Sequence, residues 1–211
     1  MENKSISLSI DEAKYMYDSN DEVMKDIALR AYSKEQLSFD FTKIKTFEDA
    51  CKALGLDYHK CLFKANAIAN DSKAAAAMYK LNIVRKALNF GQDLHFAENP
   101  EDSYIYYPCN PFVTKKSTYY KNEIDSGKME VIGKIKSEGE EYNVLGGDAT
   151  FGGYAGLGYF YYFDGVGHAD ADIGSLGCVS REIAEHFGKY FGMLITEAKY
   201  GDLLDFEIIG V

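Results

Sequence analysis

Four side chains in the segment FDGVGHADADIG are of kinds that hold metal ions: Asp164, His168, Asp170 and Asp172. Carboxylate oxygens bind hard cations, and an imidazole nitrogen extends the set to transition metals. Asp170 and Asp172 stand one residue apart beside glycines. An EF-hand loop needs D-x-[DN]-x-[DN]-G and a distant Glu, and here Gly174 arrives one position early. The competing reading is an acidic turn between two strands.

Other chemistry is less well supported by spacing. GGYAGLG at Gly152 to Gly158 has the glycine content of a phosphate loop. Such a loop needs a strand before it and a helix after it, so that backbone amides point at phosphate; aromatic strand residues follow instead. A cysteine nucleophile needs a positioned base. Cys61 with His59, or Cys178 with His186, are the pairings on offer, and Cys178 precedes a helix start, which favours thiolate. No cysteine signature surrounds either, and the acids are too scattered to single out a catalytic pair. The expectation is a protein without catalytic residues or cofactor.

Composition narrows the partners. The 211 residues carry a net charge of −10, whereas binding a phosphate backbone needs lysines and arginines to displace counterions. The run Lys115, Lys116, Lys121, Lys128, Lys134 and Lys136, with Tyr119 and Tyr120 among them, is the one basic stretch, and Glu123, Asp125 and Glu130 break it; it reads as a solvated strand face rather than a nucleic-acid site. Cys51, Cys61, Cys109 and Cys178 have neither zinc nor framework spacing, and Cys51 and Cys178 read as small core residues. No apolar stretch suits a signal peptide or a membrane span. The expectation is a soluble protein, in the cytoplasm when synthesised.

The elements that must position these residues begin with helices. Ser5 to Ile10 alternates polar and apolar residues as a short strand. A helix follows over about 11–17, then a second capped by Asn20 with Val23, Ile27 and Ala31 on one face. Ser33 starts a short helical piece toward Leu37. Thr46 opens the next helix with Asp49 completing a capping box; Phe47, Ala50, Cys51 and Leu54 form its buried stripe, and Gly55 stops it. Residues 57–70 are ambiguous. A long helix over about 72–89 carries Tyr79, Ile83 and Ala87 on one face, widened by Leu81, Val84 and Leu88, and ends at Gly91.

Strands dominate beyond residue 94. YIYYPCNPFV at Tyr104 to Val113 reads as an edge strand, because Pro108 and Pro111 lack donors for a ladder on both sides. Residues 128–136 and 140–145 form a hairpin around Ser137, Glu138 and Gly139, and Gly146 with Gly147 breaks the chain. From Phe151 to Phe163 one parity is bulky and apolar. The other holds Gly152, Tyr154, Gly156, Gly158, Phe160 and Tyr162, so Tyr154, Phe160 and Tyr162 form a candidate aromatic binding face. A further strand spans about 172–179. Ser180 caps a final helix with Ile183, Phe187, Phe191 and Leu194 buried. Ala184, Gly188 and Gly192 recur every fourth residue beside them, and glycine inside a helix costs about 1 kcal/mol relative to alanine, so a neighbour must come close there. The tail DLLDFEIIGV should dock on its own sheet or on another subunit.

GSLGCVSREIAEHFGKYF at Gly174 to Phe191 resembles a motif, close to G-S-R-L-C-F-K-S-R-E-L-A-E-Y-A-G-K-Q-F, of a family of proteins encoded by phages and prophages of gut Bacteroidales. TFEDACKALG at Thr46 to Gly55, MYKLNIVRKALNFG at Met78 to Gly91, the Tyr-Tyr-Pro step at Tyr106 to Pro108 and the opening SLSIDEAKYMYDSNDEVMKDIALRAYSKEQL are similar to that family in the same order. Departures are the missing tryptophan-rich segment after the long helix, where GQDLHF stands, the Lys115 to Gly147 stretch, which looks inserted, and the tail after Tyr200. The resemblance implies origin and fold, and transfers no catalytic residue.

The expected fold is α+β: an N-terminal helical part, then an antiparallel sheet packed on a C-terminal helix. The expected organisation is a module over 1–45 and an α+β domain over 46–211, with helices at 46–93, sheet at 103–179, helix at 180–199 and tail at 202–211. The leading functional expectation is a phage protein acting without catalysis through protein–protein contacts, virion-associated or an assembly accessory, whose partner is a phage structural or host protein or a second copy of itself. The alternatives are a module in the infected cell that sequesters a small molecule or nucleotide or inhibits a host defence protein, and a metal-binding enzyme using residues 164–172. Nucleic acid and membrane are not expected partners.

Overall fold

A computed structural model describes residues 8, 10–90, 105–114, 118, 120–137, 139–146, 148–152, 166–170 and 176–210. The chain divides into two compact units, Met1–Asp40 and Phe41–Val211.

The first unit is helical: α1 (Ile10–Asp18), α2 (Glu22–Ala31) and α3 (Lys34–Leu37). Ile10 is already helical, and the rest of the strand expected over 5–10 lies outside the described residues or, at Leu8, has no regular structure. The cap of α2 is Asp21 and not Asn20: its carboxylate accepts from the Val23 amide at 2.8 Å and the Met24 amide at 3.4 Å. The face of α2 that carries Val23, Ile27 and Ala31 is the exposed one. Ala28 is the buried residue, packed with Ala13 and Leu37, while Val23 and Ile27 face outward. Ser33 and Gln36 close a capping box on α3.

In the second unit a 3₁₀ turn (Phe41–Lys43) leads to α4 (Phe47–Ala53), α5 (Tyr58–Ala69) and α6 (Lys73–Leu88). The Asp49 amide donates to Thr46 Oγ1 at 3.1 Å and the Thr46 amide returns a bond to Asp49 Oδ2 at 2.9 Å, so the capping box forms as its sequence requires. Gly55 sits at φ 65°, the left-handed stop. The ambiguous 57–70 segment is a helix, capped by Asp57. Ala76, Ala77, Leu81, Val84, Ala87 and Leu88 are the buried side of α6, and Tyr79 and Ile83 are only half-buried. The first turn of α6 has a distant partner as well as Ser72. Asp202 bonds Ser72 and accepts from the Lys73 and Ala74 amides at 2.8 and 3.2 Å. These bonds, that from Ser72 first, hold the Asp202 carboxyl below its usual value.

The sheet contains β1 (Ile105–Thr114), β2 (Glu130–Ser137), β3 (Glu140–Gly146), β4 (Asp148–Gly152), β5 (Val166–Asp170) and β6 (Phe206–Gly210), with α7 (Lys121–Asp125) before β2 and α8 (Arg181–Tyr200) before β6. All pairings are antiparallel. β1 is a central strand, contrary to the edge position expected from its prolines. Cys109 pairs with both Asp148 and Asp170, and Phe112 with both Val144 and Gly167. A strand has two edges, so β5 lies along one of them and β3 and β4 follow each other along the other. Gly146 therefore does not break the chain; β4 continues β3 with a register step of one residue.

Each proline's missing donor can be assigned to one edge of β1. Tyr106 exchanges backbone bonds with Cys178, 3.2 and 2.8 Å, on the edge that β5 occupies further on. Strand donors alternate between edges. Pro108 therefore faces the edge shared by Cys178 and β5, one step beyond the Cys109–Asp170 pair, and Pro111 faces the other edge, near the junction of β3 and β4. One step beyond the Phe112–Val144 pair, Pro111 stands opposite Leu145 and has no N–H to offer its carbonyl. The Asn110 side chain supplies it: Asn110 Nδ2 donates to Leu145 O and to Gly188 O of α8, both at 2.9 Å. Asn110 is fully buried, and its Oδ1 has no hydrogen-bond partner.

α8 packs on this sheet and on α6. Ser180 caps it, accepting from the Ile183 amide at 3.3 Å. Ile183, Phe187, Phe191 and Ile195 are buried, Ile195 taking the place expected of Leu194. Ala184, Gly188, Gly192 and Thr196 form a small-residue side, also buried. A Cβ on Gly192 would collide with Asn110 Nδ2 and Ile132 Cδ1, so the close neighbour expected there is β1 with its buried amide. Asn89, at the end of α6, ties down the entry to α8: its Nδ2 donates to Gly177 O at 3.1 Å and its Oδ1 accepts from the Val179 amide at 3.0 Å. The helix stop is Phe90, at φ 50°, one residue before the glycine expected to provide it. The apolar tail docks on its own sheet as β6, which pairs with β2 and adds Phe206 and Ile208 to the cluster of Phe112, Ile135 and Val144.

Candidate functional site

Of the four metal-type residues, the two described ones lie in a strand and not in a loop. His168 and Asp170 belong to β5, where the backbone of His168 pairs with Pro111 and that of Asp170 with Cys109. The acidic-turn reading fails there for the same reason: Val166–Asp170 is a strand on the inner strand of the sheet. Asp164 and Asp172 lie outside the described residues, as do Tyr154, Phe160 and Tyr162 of the candidate aromatic face. The strand expected over about 172–179 is, in its described part, a single 3₁₀ residue at Leu176 and the isolated Cys178 bridge to Tyr106. Among the described residues, no group of three or more His, Cys, Asp or Glu side chains is placed to hold a metal ion.

Neither cysteine–histidine pairing forms. Cys178 is fully buried just ahead of α8, and burial pushes its thiol far up, with Arg85 opposing. The helix start therefore does not produce a thiolate, because desolvation of the charged form outweighs the dipole. Its Sγ donates to Leu176 O at 3.8 Å. His186 instead has its Nε2 2.7 Å from Ile44 O, with its ring edge-on to Phe41 at 5.4 Å. Cys61 is buried, and the His59 ring packs on Tyr58 at 5.4 Å. Cys51 and Cys178 are core residues, as their apolar neighbours suggest.

Two surface features were not legible in advance. The first lies in the N-terminal unit. Among the described residues it contributes five of the twelve exposed large apolar side chains, Tyr15 (76% exposed), Val23 (68%), Met24, Ile27 (44%) and Leu29. Val23 and Ile27 are one turn apart on α2. A shallow open groove lined by Leu8, Glu12, Tyr15 and Met16 adjoins α1. The helical spacing of Val23 and Ile27 was visible, but the same spacing serves a buried or an open face, and only the position of Ala28 decides between them. The second feature is on α8. Tyr190, 38% exposed, packs on His186 at 4.5 Å between ring centroids and has Lys45 and Lys189 ammonium groups 5.3 and 5.7 Å from its ring centre. Lys189 also pairs with Glu130 at 3.2 Å. This is a cation–π cluster that spends its lysines locally.

In the basic run, Lys134 and Lys136 are exposed along β2 and Lys121 begins α7. The strand face expected of this run is present at Lys134 and Lys136 alone; Lys121 is helical, Lys128 lies in a bend, and Lys115 and Lys116 lie outside the described residues. Among the described residues, no helix is long and apolar enough to cross a membrane. No protein-family model, curated protein or solved structure matches the chain.

Proposed function

We propose that the protein acts through protein–protein contacts, without bond-making chemistry, as a virion-associated or accessory assembly component of a phage. The observation that carries the reading is the outward apolar side of α1 and α2: Tyr15, Val23 and Ile27 are exposed in a unit of only 40 residues. Large apolar side chains left open to water favour an interaction, because covering them releases water at little polar cost. The resemblance of the chain to phage-encoded proteins supports the setting. Mass spectrometry of purified particles tests it. The protein should be present at a stoichiometric level, and Val23→Lys combined with Ile27→Lys should lower its incorporation while leaving the melting temperature unchanged. Particles free of the protein would refute the virion role, and full incorporation of the double variant would refute the role of this face.

A further inference from the structure

The outward side of α1 combines an open aromatic ring with acids. Ala13 is fully buried, and Tyr15, two positions on, points nearly the opposite way. Glu12 and Asp18, both exposed, stand three residues before and after Tyr15, so both are its neighbours on the helix surface. Leu8 and Met16 join Glu12 and Tyr15 in lining the shallow groove. The cations of α1 and α2 are engaged within the unit. Lys14 Nζ donates to Phe39 O at 3.1 Å, Lys25 pairs with Glu22 at 2.9 Å, and Arg30 pairs with Asp26 at 2.7 Å.

We propose that this side of α1 docks a basic amphipathic helix of a protein partner, an inference that rests on the reading that the protein works through protein–protein contacts. A lysine or arginine of the partner lies over the Tyr15 ring, whose negative face attracts a cation. The Glu12 and Asp18 carboxylates stand on either side of that charge. The partner's apolar residues, three or four positions apart, cover Leu8 and Met16 along the groove. Charge makes the choice of occupant. An acidic helix would meet like charge at Glu12 and Asp18 and find the local cations already paired. The net charge of −10 also draws a basic partner in from a distance and repels nucleic acid and anionic lipid.

The chain has no tryptophan, so a synthetic helix with a single tryptophan reports its own binding by fluorescence anisotropy. Two such peptides share a leucine face; the other side is lysine and arginine in one and glutamate in the second. The basic peptide should bind the full chain and weaken severalfold as salt rises from about 0.05 to 0.3 M, and the acidic one should not bind. Tyr15→Ser should weaken the basic peptide about tenfold, and Asp18→Asn about threefold. Asp71→Asn removes the same charge from an exposed position in the second unit and should leave the affinity unchanged. No binding of the basic peptide, equal binding of both, unaltered affinity in Tyr15→Ser, or an Asp71→Asn effect as large as that of Asp18→Asn would each overturn the proposal. Circular dichroism checks folding; if Tyr15→Ser does not fold, the comparison of Asp18→Asn with Asp71→Asn decides. Particles that lack the protein would end the virion role and leave this titration untouched, so the two readings fail separately.

Discussion

Removing the Asn110 side chain should expose how β1 tolerates a proline at its centre. In Asn110→Ala, Leu145 O loses its side-chain donor, and Pro111 opposite has no N–H to replace it. An orphaned buried carbonyl costs about 1–3 kcal/mol, and the lost bond to Gly188 O adds about 0.5–1.5 kcal/mol. The total is about 2–4 kcal/mol, which for a chain of this size lowers Tm by roughly 5–15 °C. Urea unfolding measures it as a shift in midpoint at constant slope. The decisive comparison is a double-mutant cycle. Pro111→Ala restores a backbone N–H facing Leu145 O, so Asn110→Ala should cost about 1 kcal/mol less in that background. A single substitution within about 0.5 kcal/mol of wild type, or a cycle that is additive, would refute the assignment of Asn110 as the stand-in donor.

Two further predictions concern close approach and charge. Gly192→Ala should destabilise by about 1–3 kcal/mol, since its Cβ meets the doubly bonded Asn110 amide. Gly133→Ala should cost less, because the atoms it meets are those of the flexible Met193 side chain; urea midpoints that reverse this order would contradict the packing described. Asp202→Ala should lower stability at neutral pH. The depressed Asp202 carboxyl contributes stability above its ordinary value of 3.8 and loses it as the pH falls through the native value. The gap between wild type and variant should therefore close in acid, and a gap independent of pH would exclude the carboxylate as its source.

What could be read from the chain beforehand was local. Thr46 with Asp49, Ser33, Ser180 and Gly55 act within one turn of their own positions, so their roles follow from residue type and spacing. The α2 cap was off by one because Ser19, Asn20 and Asp21 are all competent, and Ser19 is occupied with Met16 O at 2.7 Å. The errors of substance are non-local. Two prolines mark an edge strand unless a missing donor is supplied from elsewhere, and opposite Pro111 the Asn110 side chain supplies it to Leu145, a residue far away in sequence. The acidic segment was taken for a turn because its glycines and aspartates disfavour strands; pairing with β1 overrides that preference at Val166–Asp170. Of the candidate site, the cysteine burial was readable from apolar neighbours, whereas the exposure of Val23 and Ile27 depends on which side of α2 meets α1.

The link between Asp202 and the start of α6 also orders events at the ribosome. Helix α6 leaves the exit tunnel with only Ser72 to satisfy its leading amides, and its second acceptor is translated 130 residues later. Until then the Lys73 and Ala74 amides must stay hydrated. The nascent helix is therefore left provisional at one end, and its first turn is completed only after α8 has been synthesised and the chain has come back.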